Sequence, residues 1–157
     1  MDKVLKNKLG NIGEYYVALE LSKLGVDCIV VGGNNRKSIT DIICNHNITI
    51  EVKTSLYSQE RKIGDAEHLP KSGWGFGGLC RNGTFNQSDL FAFVLLWEDL
   101  SLYKIIYVRT ENIKGGSWWY LKPNENTTQG KRGPLSSETT WKRHFLTATD
   151  VANLIIK

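Results

Sequence analysis

The alternation in Ile48 to Thr54 constrains the fold more than any other feature of the chain. Successive side chains of a strand point to opposite faces. Ile48, Ile50 and Val52 then share an apolar face, and Thr49, Glu51 and Lys53 share a polar one. Burying the apolar face in a sheet presents Glu51 and Lys53 together on the other. Thr40 to Cys44 is a second β-type run, carrying Asp41. Between the two runs lies Asn45-His46-Asn47, a polar turn whose asparagines tolerate left-handed backbone angles.

A three-residue loop at Asn45–Asn47 pairs Cys44 with Ile48, and the same register sets Asp41 opposite Glu51. Side chains directly opposed on antiparallel strands lie ~5 Å apart at Cβ. A two-residue loop moves Asp41 out of opposition. Two carboxylates that close repel each other unless a cation lies between them. Hard oxygen donors in this number suit Mg²⁺, which keeps several of its waters, with Mn²⁺ able to substitute. The carbonyl of Val52 is a further candidate ligand. A metal so held polarises a phosphate oxygen and acidifies a bound water. Lys53 can orient that water or stabilise developing negative charge. The competing reading is a surface hairpin whose Asp, Glu and Lys form solvated ion pairs.

Around this hairpin, the pattern predicts a helix from about Val4 to Leu24, with Gly25 as its stop. Val17, Leu21 and Leu24 form one apolar stripe, and Ile12, Tyr16 and Leu19 another on nearly the opposite side. A helix apolar on two sides is expected to be buried on both, by a sheet and by another element or subunit. Glu14 lies beside the first stripe, where an acid is costly without a partner. It reads either as a group reaching the metal or as part of a solvated helix face.

Asp27 to Val31 is a β-type run ending at Gly32-Gly33. From Ser55 to Ser88 the pattern breaks down into a long Gly- and aromatic-rich stretch with room for short helical turns. Loops this long are uncommon in small domains and often functional. Phe91–Trp97 and Tyr103–Arg109 predict a hairpin across Glu98-Asp99, and Ser117–Leu121 a further strand. Ala148–Ile156 predicts a last helix with Thr147 as its N-cap. The expected fold is α/β, a mixed central sheet flanked by helices, in one domain spanning residues 1–157.

GNIGE at 10–14, Thr40-Asp41 and Glu51-Val52-Lys53 resemble the PD-(D/E)XK, or restriction-endonuclease-like, nuclease superfamily. The resemblance covers roughly residues 6–55, with Phe91–Trp97 as a later core strand. It implies that Asp41 and Glu51 bind Mg²⁺ and that Lys53 is catalytic. The helical acid of Holliday-junction-resolvase-like members matches Glu14. Thr40 stands where the motif's name has Pro, a variable position in that family.

Composition is compatible with this expectation without demanding it. The 157 residues are 41% hydrophobic and 23% charged, with net charge +4 and pI about 8.9. Such a mild basic excess suits a polyanionic partner. No apolar run reaches the ~20 residues that span a bilayer, and the N-terminal residues lack a signal-peptide core. The expectation is a soluble, cytoplasmic protein with no membrane partner. Cys28, Cys44 and Cys80 have no CxxC spacing, and their odd number fits a reducing compartment. Cys28 and Cys44 read as small core side chains.

Arg36-Lys37, Arg61-Lys62, Lys131-Arg132 and Lys142-Arg143 are candidate phosphate contacts, or else scattered solvated charge. Trp74, Phe76 and Arg81 either close over DNA or pack within a surface loop. Trp118 and Trp119 read as core or subunit-interface residues. GEYYVAL shares only letters with GIY-YIG, and Asn45-His46-Asn47 lacks the paired histidines of an HNH site. No Walker A or GxGxxG pattern is present. The expected activity is a DNA endonuclease of homing, resolvase-like or restriction type. Cutting both strands needs two active sites, hence a homodimer or higher symmetric oligomer. The competing classes are a non-catalytic nucleic-acid-binding or assembly module and an unrelated metabolic enzyme.

Overall fold

The computed structural model describes residues 2–31, 40–58, 73–77, 80–81, 84–85, 88–113, 118–121 and 144–156. Helix α1 (Lys3–Ser22) starts where the Asp2 carboxylate accepts the Val4 N–H at 3.2 Å. It ends near Gly25, whose φ of 83° is a left-handed turn that glycine adopts without strain. Strands β1 (Cys28–Val30), β2 (Ile42–Cys44) and β3 (Thr49–Leu56) follow. Short strands β4 (Trp74–Gly77), β5 (Cys80–Arg81) and β6 (Thr84–Phe85) precede the long pair β7 (Leu90–Leu96) and β8 (Leu102–Arg109). Strand β9 (Trp118–Leu121) and helix α2 (Ala148–Ile156) complete the described elements.

The main sheet has five strands in the order β1-β2-β3-β7-β8. Strands β3 and β7 are parallel and every other neighbour is antiparallel, so the sheet is mixed as the sequence predicts. Every residue of β7 is buried, because it is covered on both faces. Leu90, Ala92, Val94 and Leu96 join a core with Leu9, Val17 and Leu21 of α1 and Val151, Ala152 and Ile155 of α2. Phe91, Phe93 and Leu95 join a second core with Trp74 and Phe76 on the other face. A strand covered on both faces must be apolar throughout, which explains the unbroken run LFAFVLL. Burying each large side chain there contributes ~1.5–3 kcal/mol.

Among the described residues, helix α1 is covered mainly on one side. Val17 and Leu21 are fully buried, whereas Leu19 is 53% and Leu24 38% exposed. The expected burial of its second stripe holds only in part, since Ile12 and Tyr16 are partly buried against the core. Leu24 escapes because the helix stops at Ser22. Helix α2 starts as the sequence predicts. The Thr147 hydroxyl accepts the Asp150 N–H at 3.1 Å, and the Asp150 carboxylate accepts the Thr147 N–H at 2.8 Å, a reciprocal capping box.

Between residues 55 and 88 the described elements are short strands rather than helical turns. Strand β4 pairs with β9, and β5 with β6. The β4–β9 partners are more than forty residues apart in the chain, a pairing that local pattern cannot reveal. Ser58 and Gly73 exchange backbone hydrogen bonds at 3.1 and 2.9 Å, which brings β4 back alongside the end of β3. Among the described residues no helix is long and apolar enough to cross a membrane.

Candidate active site

The turn between β2 and β3 has three residues, the length whose register sets Asp41 opposite Glu51. Asn45–Asn47 form a 3-10 turn, with His46 and Asn47 left-handed at φ of 57° and 59°. The Asn45 side chain serves β1 instead, its Oδ1 accepting the Asp27 N–H at 2.7 Å. The register then runs Ile43↔Thr49 and Ile42↔Ile50.

One step further Asp41 leaves the ladder. Its N–H donates to the Ile50 carbonyl at 3.1 Å, and its carboxylate accepts the Val52 N–H at 2.8 Å. That N–H is the one a longer β2 would have bonded through its backbone. The paired strand therefore stops at Ile42 rather than Thr40, and the Asp41 side chain takes over at the edge of β3. Thr40 Oγ1 donates to the Ile50 carbonyl at 3.0 Å and braces the departure.

On the polar face of β3, Lys53 Nζ meets Glu51 Oε1 at 2.8 Å. The Glu51 and Lys53 side chains are 13% and 27% exposed, so the pair is half-buried rather than on open surface. The opposite face carries Ile50, fully buried, and Val52, 9% exposed. Asp89 fixes the start of the strand by accepting both the N–H and the hydroxyl of Thr49, at 2.9 and 3.0 Å.

Glu14 reaches the same place from α1 and is only 8% exposed. Gly13 makes this approach possible. A Cβ at that position would lie 1.8 Å from Thr54 Oγ1 and 3.0 Å from Thr54 Cβ. Helix and strand therefore touch backbone to side chain, with no room for a methyl group between them. The Thr54 hydroxyl is buried in that contact without a hydrogen-bond partner. Gly13 is thus a positioning residue for Glu14, and the GNIGE segment carries it without marking its role. The signal was a glycine immediately before a helical acid.

The electrostatics follow from this crowding. Burial, and then the charges of Asp41 and Glu51, raise the Glu14 carboxyl to about 7. Burial and the neighbouring Glu51 raise Asp41 to about 6, against the opposing pull of the Val52 N–H and Lys53. Among the described residues, three carboxylates thus crowd together beside one ammonium, and protonation or a bound cation relieves the excess.

No group of three or more His, Cys, Asp or Glu side chains among the described residues is already drawn in to ligand spacing for a metal. The Asp41 carboxylate is turned toward the Val52 N–H and that of Glu51 toward Lys53 instead. The donor chemistry nonetheless fits Mg²⁺, which binds through one or two carboxylates and keeps its waters.

Asp41, Glu51, Val52 and Lys53 are linked by hydrogen bonds, and Glu14 lies within reach of the Asp41 and Glu51 charges. Arg36, Lys37, Arg61, Lys62, Lys131 and Arg132 lie outside the described residues, as do Lys142 and Arg143. Trp74 is fully buried and Phe76 3% exposed, so these aromatics pack as expected, but in a core on strand β4 rather than in a surface loop. Trp118 and Trp119 fall on β9. Cys44 is 5% exposed and Cys28 is packed against the same core.

No family model matches the chain, and no curated protein sequence matches it. Among solved structures, the bacterial homing endonuclease I-Ssp6803I is similar, with a TM-score of 0.52 at 15% identity. The match covers 91% of this chain and 93% of that one. At this identity the likeness is one of fold.

Proposed function

We propose that this chain is a Mg²⁺-dependent DNA endonuclease of the PD-(D/E)XK type, with Mn²⁺ able to substitute. The observation that carries the reading is the convergence of Asp41, Glu51, Lys53 and Glu14 at one edge of β3, from two strands and a helix. The fold likeness to a homing endonuclease supports it. It leaves homing, restriction and resolvase-like action as variants of one chemistry.

In this reading Asp41 and Glu51 hold the cation, with the Val52 carbonyl as a further ligand. When bound, the metal polarises a phosphate oxygen and lowers the pKa of a coordinated water. Glu51 anchors Lys53 at 2.8 Å, which fixes the ammonium beside the carboxylates. Lys53 orients the attacking water and stabilises the charge that develops on the phosphoryl oxygens. Glu14, held near 7, can take up and release a proton close to neutral pH. The basic pairs Arg36-Lys37, Arg61-Lys62 and Lys131-Arg132 are assigned to the phosphate backbone. The assembly is a homodimer or higher symmetric oligomer, which supplies a second site for the second strand.

The test is cleavage of supercoiled plasmid, linear duplex and a four-way junction, each with Mg²⁺, Mn²⁺ or EDTA. Metal-dependent nicking or linearisation is expected, and the preferred substrate separates the variants. Equal cutting in EDTA contradicts the metal reading. Binding of all three DNAs without cutting favours a non-catalytic module on this fold.

A further inference from the structure

Cys28 and Cys44 are directly opposed in the β1–β2 ladder. The hydrogen bonds on either side are Asn45 N–H to the Asp27 carbonyl and Val31 N–H to the Asp41 carbonyl. Antiparallel pairs alternate between hydrogen-bonded and non-hydrogen-bonded, so the Cys28–Cys44 pair is of the second kind. Such pairs have the closer Cα atoms, ~4.5 Å apart, inside the ~4.4–6.8 Å window of protein disulfides. The two sulfurs lie 3.5 Å apart as free thiols. Neither strand has to move by more than ~1.5 Å to bring them to the ~2.05 Å of a bond.

We propose that Cys28 and Cys44 form a dithiol site that is oxidised reversibly to an intrachain disulfide by a small disulfide oxidant such as oxidised glutathione. The two cysteines differ in access, which sets the order of events. Cys44 is buried and Cys28 half-buried, so Cys28 meets the oxidant. The hydrogen bond from Cys44 holds the Cys28 thiol below its ordinary pKa, while Cys44 itself is raised. The Cys28 thiolate attacks one sulfur of glutathione disulfide and expels one glutathione thiolate. Cys44 then loses its proton and attacks the Cys28 sulfur of the mixed disulfide, expelling the second glutathione. The two cysteine protons end on the two glutathiones. The cysteines are oxidised by two electrons, and the glutathione disulfide is reduced by two. The site is independent of the proposed cleavage chemistry, although β2 leads from Cys44 to Asp41 within three residues.

The folded protein is incubated with oxidised glutathione, then alkylated, digested with trypsin and mapped by mass spectrometry. Lys23, Arg36, Lys37 and Lys53 place Cys28 and Cys44 in separate peptides. The expected result is one linked peptide pair, reversed by dithiothreitol and absent when the protein is oxidised in denaturant. The linked protein should also melt roughly 5–10 °C higher, as a cross-link closing a loop of this length restricts the unfolded chain. Cys44→Ser should trap glutathione on Cys28 as a stable adduct. Alkylation of both thiols after oxidation, or a glutathione adduct on wild-type Cys28 that never resolves, overturns the proposal and leaves the pair as core filling.

Discussion

Replacing Glu14 with Gln removes one negative charge from the acidic cluster with Asp41 and Glu51 while keeping the shape of the side chain. Its carboxyl sits at about 7 in the folded protein against an ordinary 4.5. A raised acid favours the fold in its protonated form. That contribution is complete below pH 4.5 and is lost as the pH rises through 7. At 1.36 kcal/mol for each pH unit, the displacement caps the cost of an ionised Glu14 at about 3 kcal/mol. Relaxation of the surroundings about the ionised group trims this to about 1–3 kcal/mol.

Gln carries no such charge, so Glu14→Gln should gain on the metal-free wild type as pH rises. A buried amide without partners costs about 1–3 kcal/mol at every pH, so the quantity to compare is the change between two pH values. Urea melts in EDTA at pH 4.5 and pH 8 provide it. The variant's stability relative to wild type should rise by about 1–3 kcal/mol from pH 4.5 to pH 8. At about 2 kcal/mol the corresponding thermal shift is roughly 4–8 °C. Parallel stability curves for the two proteins would refute the reasoning, because neither burial nor the Asp41 and Glu51 charges would then be raising Glu14.

Lys53→Ala should lower the cleavage rate by about 100-fold or more, the scale for losing one group that stabilises transition-state charge. Gel shifts should show DNA binding largely kept. Gly13→Ala should destabilise the fold by about 1–3 kcal/mol, as overpacking does. Thr54→Ala should recover part of that loss in the double variant, since it removes the oxygen that the new methyl would meet; denaturant melts of all four proteins give the coupling. The metal-free wild type should lose stability between about pH 4 and 7 as Asp41 and Glu14 ionise, and Mg²⁺ should restore it at pH 8, read by thermal melts with and without EDTA.

Local periodicity and turn chemistry were sufficient for the parts of the fold that neighbouring residues determine. The alternation of Ile48 to Thr54 set the buried and polar faces of β3, and the three-residue turn set its register. Thr147 marked the start of α2 because a capping side chain acts within its own turn. Contacts distant in sequence were not legible. Thr49 is held by Asp89, forty residues on, and Trp74 is sealed by donating its indole N–H to the Leu96 carbonyl at 2.7 Å. Leu19 looked like a buried stripe because helical spacing says which residues share a face, not which face the sheet covers. Asp41 was legible as an acid beside Glu51. Its exit from the ladder was not, since that depends on a side chain replacing a backbone acceptor at Val52.

Calorimetric titration of Mn²⁺ into the metal-free protein tests the central claim without knowledge of any target DNA. Wild type and Lys53→Ala should each bind the ion, and Asp41→Asn should bind it at least tenfold more weakly. Equal binding by wild type and Asp41→Asn, or none by wild type, would contradict a metal site built on Asp41 and Glu51.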